Sequence, residues 1–200
     1  VAASKNVGFS PEQPTLDAEV AVPLFNFERT RVELGSYLRA TYHDAFDTMQ
    51  LSEHQGLFTP TDIANRFEIG VTALADTDDT WSEWKISRRE DKDSLSVVKE
   101  DKEIIVGMKR QDATAQQVEG LFAHEVLRHA LTAINGSKID EKLGSGLPNY
   151  LDFEEGAGVL NEYALSGRVK DELIDRYTDI ALALGLTSGG QKVPRSKLLQ

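Results

Sequence analysis

Residues 121–134 read LFAHEVLRHALTAI, an apolar stretch that carries His124, Glu125, Arg128 and His129 in its middle. Burying a polar group without a partner costs roughly 2–7 kcal/mol, and a charge costs more. Either this face is not buried, or something is bound there. Two imidazoles with a carboxylate between them are donors that a divalent metal takes, and His124-Glu125-x-x-x-His129 is an HExxxH arrangement. In the better-known HExxH helix, four residues turn about 400°, which leaves the imidazoles about 40° apart. Five residues turn about 500°, which leaves His124 and His129 about 140° apart on a regular α-helix. A π-type bulge brings positions i and i+5 back together, and such bulges concentrate at functional sites. The spacing therefore predicts a widened turn within His124–His129.

Catalytic zinc keeps about three protein ligands and one open position. The chain has no cysteine, so a third ligand must be His, Asp or Glu. The next helix-like stretch, LDFEEGAGVLNEYALSG, offers Glu154 and Glu155. Adjacent helical residues point about 100° apart, so only one can face the metal. Leu151 and Val159 mark the apolar side, and Glu155, one turn before Val159, shares it. Glu155 is the expected ligand, and Gly156 and Gly158 would let the two helices approach. Zinc held this way lowers the pKa of water to about 7 and polarises a carbonyl. Glu125 is placed to take the water's proton and deliver it to a leaving amine. The strand-like run EIIVGMKR just before the helix is expected to offer an open edge to an extended peptide. The plain alternative is an ion-pair network of His124, Glu125, Arg128 and His129 on a half-exposed helix.

Other residues could bind substrate. Lys109, Arg110, Arg128 and Arg168 are possible carboxylate partners, with Arg128 preferred because it sits between the ligands. Tyr150 and Tyr163 flank the second helix, and Tyr163 is a candidate donor to an oxyanion. Asn161 and Glu162 could orient the histidines. His43 and His54 are read as residues with local roles.

These side chains need a scaffold. Leu34, Tyr37, Leu38, Tyr42, Ala45 and Met49 recur at helical spacing and predict one helix over 26–50. Thr59-Pro60-Thr61-Asp62 starts a second, running to about Ala75 on Ile63, Phe67, Val71 and Leu74. The acidic cluster Asp76–Asp79 reads as a solvated loop. WSEWKISRRE, SLSVVKE and KEIIVGMKR read as two or three antiparallel strands, with Trp81 and Trp84 on the first. A long helix is expected from Gln111, ended by Asn135-Gly136. After a Gly/Pro loop, a helix over 152–165 closes at Ser166-Gly167, and a last amphipathic helix covers Lys170–Leu184. This order predicts an α+β, helix-dominated fold with a small antiparallel sheet. Residues 1–25 read as an extended N-terminal arm, 26–186 as a single catalytic domain and 187–200 as a flexible tail.

Composition narrows the function. The net charge of −11 disfavours nucleic acid and anionic membrane surfaces. No apolar run approaches the roughly 20 residues that span a bilayer. VAASKNVGFSPEQPTLD has no apolar signal core, and a cytoplasmic location is expected.

From Lys102 to Gly167 the chain also resembles a known family. LFAHEVLRHALTAINGSKI, then GSGLPNYLDFEEGAGVLNEYALSG, is similar to the ordered motifs of the HExxxH metallopeptidases that include the microtubule-associated tyrosine carboxypeptidase and the bacterial QEGLA-motif proteins. The resemblance implies a zincin-type domain, a zinc carboxypeptidase activity, and Glu155 as the ligand, since the position of Glu154 can be Gln in the family. The eukaryotic relatives release a C-terminal tyrosine from tubulin. Here the third motif reads EEGAG where the family has EEGLA, which predicts looser packing beside the metal. The expectation is a zinc metallopeptidase acting on peptide or protein C-termini: His124, His129 and Glu155 as ligands, Glu125 as the base, Arg128 and Tyr163 near the substrate. Its rivals are a zinc-holding module that binds peptides without cutting them, and a part of a larger assembly, suggested by the start at Val1 and the proline-bearing arm.

Overall fold

The computed structural model describes residues 27–146 and 151–167. The arm over 1–25, the helix expected over 170–184 and the tail lie outside the described residues. Two helices, α1 (Phe27–Thr41) and α2 (His43–Met49), replace the single one expected over 26–50. The break falls at Tyr42, whose φ of −116° and ψ of 33° leave the helical region. It lets α2 turn Ala45, Phe46 and Met49 into the core, whereas Tyr37 of the expected stripe is exposed.

Helix α3 (Pro60–Ala75) starts as its sequence dictates. Thr59 accepts from the Asp62 amide, Asp62 accepts from the Thr59 amide, and proline follows the cap. Ile63, Phe67, Val71 and Leu74 are all buried. Phe67 meets Phe122 edge-on at 5.3 Å, and Phe46 meets the same ring at 5.8 Å. This aromatic cluster is the floor on which the histidine-bearing helix rests.

Trp81 and Trp84 are buried as expected, but not on a strand. They belong to a 3-10 turn over Asp79–Glu83 and the residue after it. The Asp78 carboxylate accepts from the Thr80 amide at 3.1 Å and sets that turn.

The sheet has strands β1 (Lys85–Arg89), β2 (Leu95–Val98) and β3 (Glu103–Gly107), in the order β1-β3-β2. β2 pairs antiparallel with β3, but β1 pairs with it in parallel, so the sheet is mixed where an antiparallel one was expected. The reason is burial. Every residue of β3 is buried, and a strand apolar on both faces takes the centre. β3 therefore has no open edge. The edges are β1 and β2.

Helix α4 (Ala115–His124) begins after Thr114, which caps it reciprocally with Gln117. It starts later than Gln111 because Ala113 is held in an antiparallel bridge with Phe58, by hydrogen bonds of 2.7 and 2.9 Å. A π-helical segment, Glu125–Ala130, continues into α5 (Leu131–Ile139). Asn135-Gly136 does not end this helix. Gly136 instead lies where a Cβ would strike the backbone of Leu143 in the short helix α6 (Glu141–Gly144). Helix α7 (Leu151–Ser166) stops at Gly167, whose φ is +65°. α7 packs along α4, closely enough that a Cβ on Gly120 would lie 2.8 Å from the Glu162 carbonyl oxygen.

Candidate metal centre

The widened turn expected from HExxxH is present: Glu125–Ala130 forms one turn of π-helix. It turns His129 back toward His124, and the two imidazole centroids lie 5.0 Å apart. Glu155 of α7 approaches both. Its carboxylate oxygens lie 3.6 Å from His124 Nε2 and 3.4 Å from His129 Nε2. One ligand atom from each of the three residues falls within 4.8 Å of the others. Donors around one tetrahedral zinc, bonded at about 2.0–2.1 Å, sit about 3.3 Å apart. The cluster could therefore hold a metal ion with little movement.

Each histidine is anchored through its other nitrogen. His124 Nδ1 lies 3.1 Å from Glu162 Oε2, and His129 Nδ1 lies 3.0 Å from Glu154 Oε1. An imidazole that donates from Nδ1 to a carboxylate leaves the Nε2 lone pair free for a metal. Glu154 is itself gripped by Lys99 Nζ, 2.8 Å from both of its oxygens, and is almost fully buried. The two adjacent glutamates thus divide their tasks, with Glu154 facing inward and Glu155, 57% exposed, facing the cavity. The sequence argument that Glu155 shares an inward apolar face with Leu151 is corrected by the exposure of both. The sequence reading weighs Glu154 only as the alternative ligand; its place behind His129 is not foreseen there. Of the two residues expected to orient the histidines, Glu162 lies on His124, whereas Asn161 Nδ2 donates to the Ala123 carbonyl at 3.4 Å.

Gly158 of the EEGAG stretch lies against the first histidine. A Cβ on Gly158 would lie 2.6 Å from His124 Nε2, so the imidazole occupies the space a larger residue would need.

Electrostatics divides the site. Burial pushes the Glu125 carboxyl up to about 7, with Glu155 and Glu162 adding to the rise and His124 opposing it. Burial alone would lower His124, but its hydrogen bond to Glu162 and the surrounding carboxylates raise it. His129 is lowered, burial being the main cause.

A cavity of about 360 Å³ opens over the cluster, walled by Leu95, Ser96 and Val97 of β2 on one side and by His124, Glu125, His129 and Glu155 on the other. A second, of about 630 Å³, is lined by Asp93, Lys109, Arg110, Gln117 and Glu162 among others. Arg128 lines neither; its guanidinium lies over the exposed Phe153 ring at 5.4 Å. Tyr163 lines neither as well, and Arg31 covers its ring at 5.5 Å. His43 pairs with Asp44, and His54 packs on Phe58, both with local partners as expected. Tyr150 and Arg168 lie outside the described residues.

A helix-borne pair of histidines, a facing carboxylate and a buried glutamate beside an edge strand define a candidate hydrolytic centre. The family model of the microtubule-associated tyrosine carboxypeptidase, MATCAP, matches residues 19–185, and the chain belongs to that family. Carboxypeptidase-like function on a peptide or protein substrate accompanies that membership. No curated protein and no solved structure matches the chain. No described helix is long and apolar enough to cross a membrane.

Proposed function

We propose that the chain is a zinc-dependent carboxypeptidase. The observation that carries this reading is the convergence of one ligand atom each from His124, His129 and Glu155 within 4.8 Å, the Glu155 oxygens facing both Nε2 atoms, in a cavity that buried Glu125 also lines. Two imidazoles and a carboxylate suit zinc, and the anchors on each Nδ1 favour Nε2 ligation. Zinc there supplies Lewis acidity and acidifies a water. Glu125, which lines the same cavity, accepts the proton of the attacking water and passes it to the departing amine nitrogen. Water adds to the carbonyl carbon, the C–N bond breaks, and the products are a shortened peptide and a free amino acid. The family's name supports tyrosine as the residue removed.

β2, the edge strand that walls the cavity, takes the role expected of β3: an extended peptide can pair with it through main-chain hydrogen bonds. The test is elemental analysis of purified protein together with a peptide-hydrolysis assay. About one zinc per chain is expected, lost in His129→Ala and Glu155→Ala. Glu125→Gln should keep the zinc and lose roughly 10²–10⁴-fold in hydrolysis. Full activity in a zinc-loaded Glu125→Gln protein would sink the mechanism.

A further inference from the structure

A third cavity, of about 280 Å³, lies where the turn between β2 and β3 meets α5 and α6. Lys99 and Glu100 line both this cavity and the one over the metal cluster, so the two share a wall. Trp84 lines the third cavity as well. Its side chain is almost fully buried, and its Nε1 has no hydrogen-bond partner among the described residues. A buried donor left unpaired is costly, and native folds keep few of them. In a side chain that lines a cavity, the fitting partner is an acceptor brought by a ligand.

The charges around the indole are of both signs. Lys99 and Lys102 stand on the turn, with Glu100 between them, and Glu141 opens α6. Lys99 is paired with Glu154, and Lys102 with Glu83. With Glu100 and Glu141 exposed on the same lining, the wall is ill suited to a bare anion. It suits a molecule that carries one charge of each sign. The carboxylate of such a molecule accepts from the Trp84 N–H on the lysine side, and its ammonium donates to Glu100 or Glu141. Ligand pockets run from roughly 300 to 1,000 Å³, so the occupant is small. A free α-amino acid holds both groups on one carbon, and Ile134 offers its side chain an apolar wall.

We infer that the third cavity binds a free α-amino acid as its zwitterion. The source of that ligand rests on the carboxypeptidase reading, in which each turnover releases one beside the shared wall. Lys99 makes the site a sensor of product. The same ammonium that borders this cavity grips Glu154, which in turn holds His129. A carboxylate seated beside Lys99 competes with Glu154 for it, so occupancy weakens zinc binding, and zinc weakens the amino acid by the same factor.

The experiment follows the indole N–H signals of the zinc-loaded protein by ¹H–¹⁵N NMR. The chain has two tryptophans, and Trp84→Phe assigns them. L-leucine should move the Trp84 signal saturably and leave that of Trp81 in place. N-acetyl-leucine and leucinamide each lack one charge and should bind about 10–100-fold more weakly. Replacing both exposed carboxylates, Glu100→Gln with Glu141→Gln, should remove the preference for L-leucine over N-acetyl-leucine. Chelator competition should show zinc held several-fold less tightly in the presence of L-leucine. The doubly substituted protein controls for the amino acid's own affinity for zinc and should show a smaller change. A Trp84 signal that stays still, that responds equally to N-acetyl-leucine, or that keeps its preference in the doubly substituted protein would overturn the site. A zinc affinity that L-leucine leaves unchanged, or changes equally in both proteins, would overturn the link through Lys99. If L-leucine binds as described but the wild-type protein hydrolyses no peptide, the hydrolase reading fails and the amino-acid site stands.

Discussion

Glu154 Oε1 lies 3.0 Å from His129 Nδ1, and both oxygens of the same carboxylate lie 2.8 Å from Lys99 Nζ. One buried side chain thus ties three elements together: the π-helical turn, α7 and the end of the edge strand. A buried carboxylate is stable only when fully partnered. The cation that satisfies it comes from the chain just beyond β2, the strand that walls the cavity.

This arrangement predicts a graded response at position 154. Glu154→Gln keeps an oxygen that can accept from His129 Nδ1, and zinc affinity should stay within about threefold. Glu154→Ala removes the acceptor and should weaken zinc binding by about 10–100-fold, the usual effect of losing a partner behind a metal ligand. Chelator competition on folded protein reads both values. Unchanged affinity in Glu154→Ala would show that the hydrogen bond does not position His129.

The close contact of α4 and α7 gives a second prediction. A Cβ on Gly120 would lie 2.8 Å from the Glu162 carbonyl oxygen and 3.1 Å from Ser166 Cβ. Backbone cannot retreat as a side chain can, so Gly120→Ala must push the helices apart. Overpacking of this kind costs about 1–3 kcal/mol. Because α4 ends at His124 and α7 carries Glu155, zinc affinity should fall along with stability. Denaturant unfolding with and without zinc tests both; a variant as stable as the parent would mean that α7 shifts freely.

The parts of this site that were legible in the sequence are those governed by helix arithmetic. The spacing of His124 and His129 required a widened turn, and Glu125–Ala130 supplies it. The capped start of α3 and its buried stripe follow from local chemistry alone. What escaped depends on tertiary competition. β1, β2 and β3 look like successive hairpin strands, but fully buried β3 takes the centre and forces β1 alongside it in parallel. The inward turn of Glu154 could not be read from α7 itself, because its partner Lys99 is 55 residues away. Gly136 has the chemistry of a helix stop, but tight contact with α6 explains it instead.

The acidic cluster at 76–79, read as a solvated loop, also holds a structural contact. Asp78 accepts from Lys138 Nζ at 2.6 Å and from the Thr80 hydroxyl at 2.7 Å. These bonds, the one from Lys138 foremost, hold its pKa down to about 2 from 3.8. A carboxylate with a lowered folded-state pKa contributes stability that is present above its unfolded value and is lost as pH falls through the folded one. The stability difference between wild type and Asp78→Asn should therefore be constant above about pH 5, fall as the pH drops toward about 2, and vanish only near about pH 1. Urea unfolding across that range measures it, and a difference that persists at the acid end would contradict the ion-pair assignment.

Metal removal supplies the last prediction. The candidate ligands come from two separate stretches, His124 and His129 on the α4-to-α5 run and Glu155 on α7. An ion shared between them staples α7 to the rest of the domain and binds the folded state alone. Zinc present at about a thousand times its dissociation constant would then add about 4 kcal/mol of stability. Chelation of the wild-type protein should lower its melting temperature by several degrees, reversibly on adding zinc back. Glu155→Ala holds only the two imidazoles and should show a much smaller response at the same zinc concentration. Since Glu155 is 57% exposed and packs little, the substitution itself should cost the metal-free protein almost nothing. An equal zinc response in both proteins would place the third ligand elsewhere; a loss of stability in the metal-free variant would mean that Glu155 supports the fold rather than the metal.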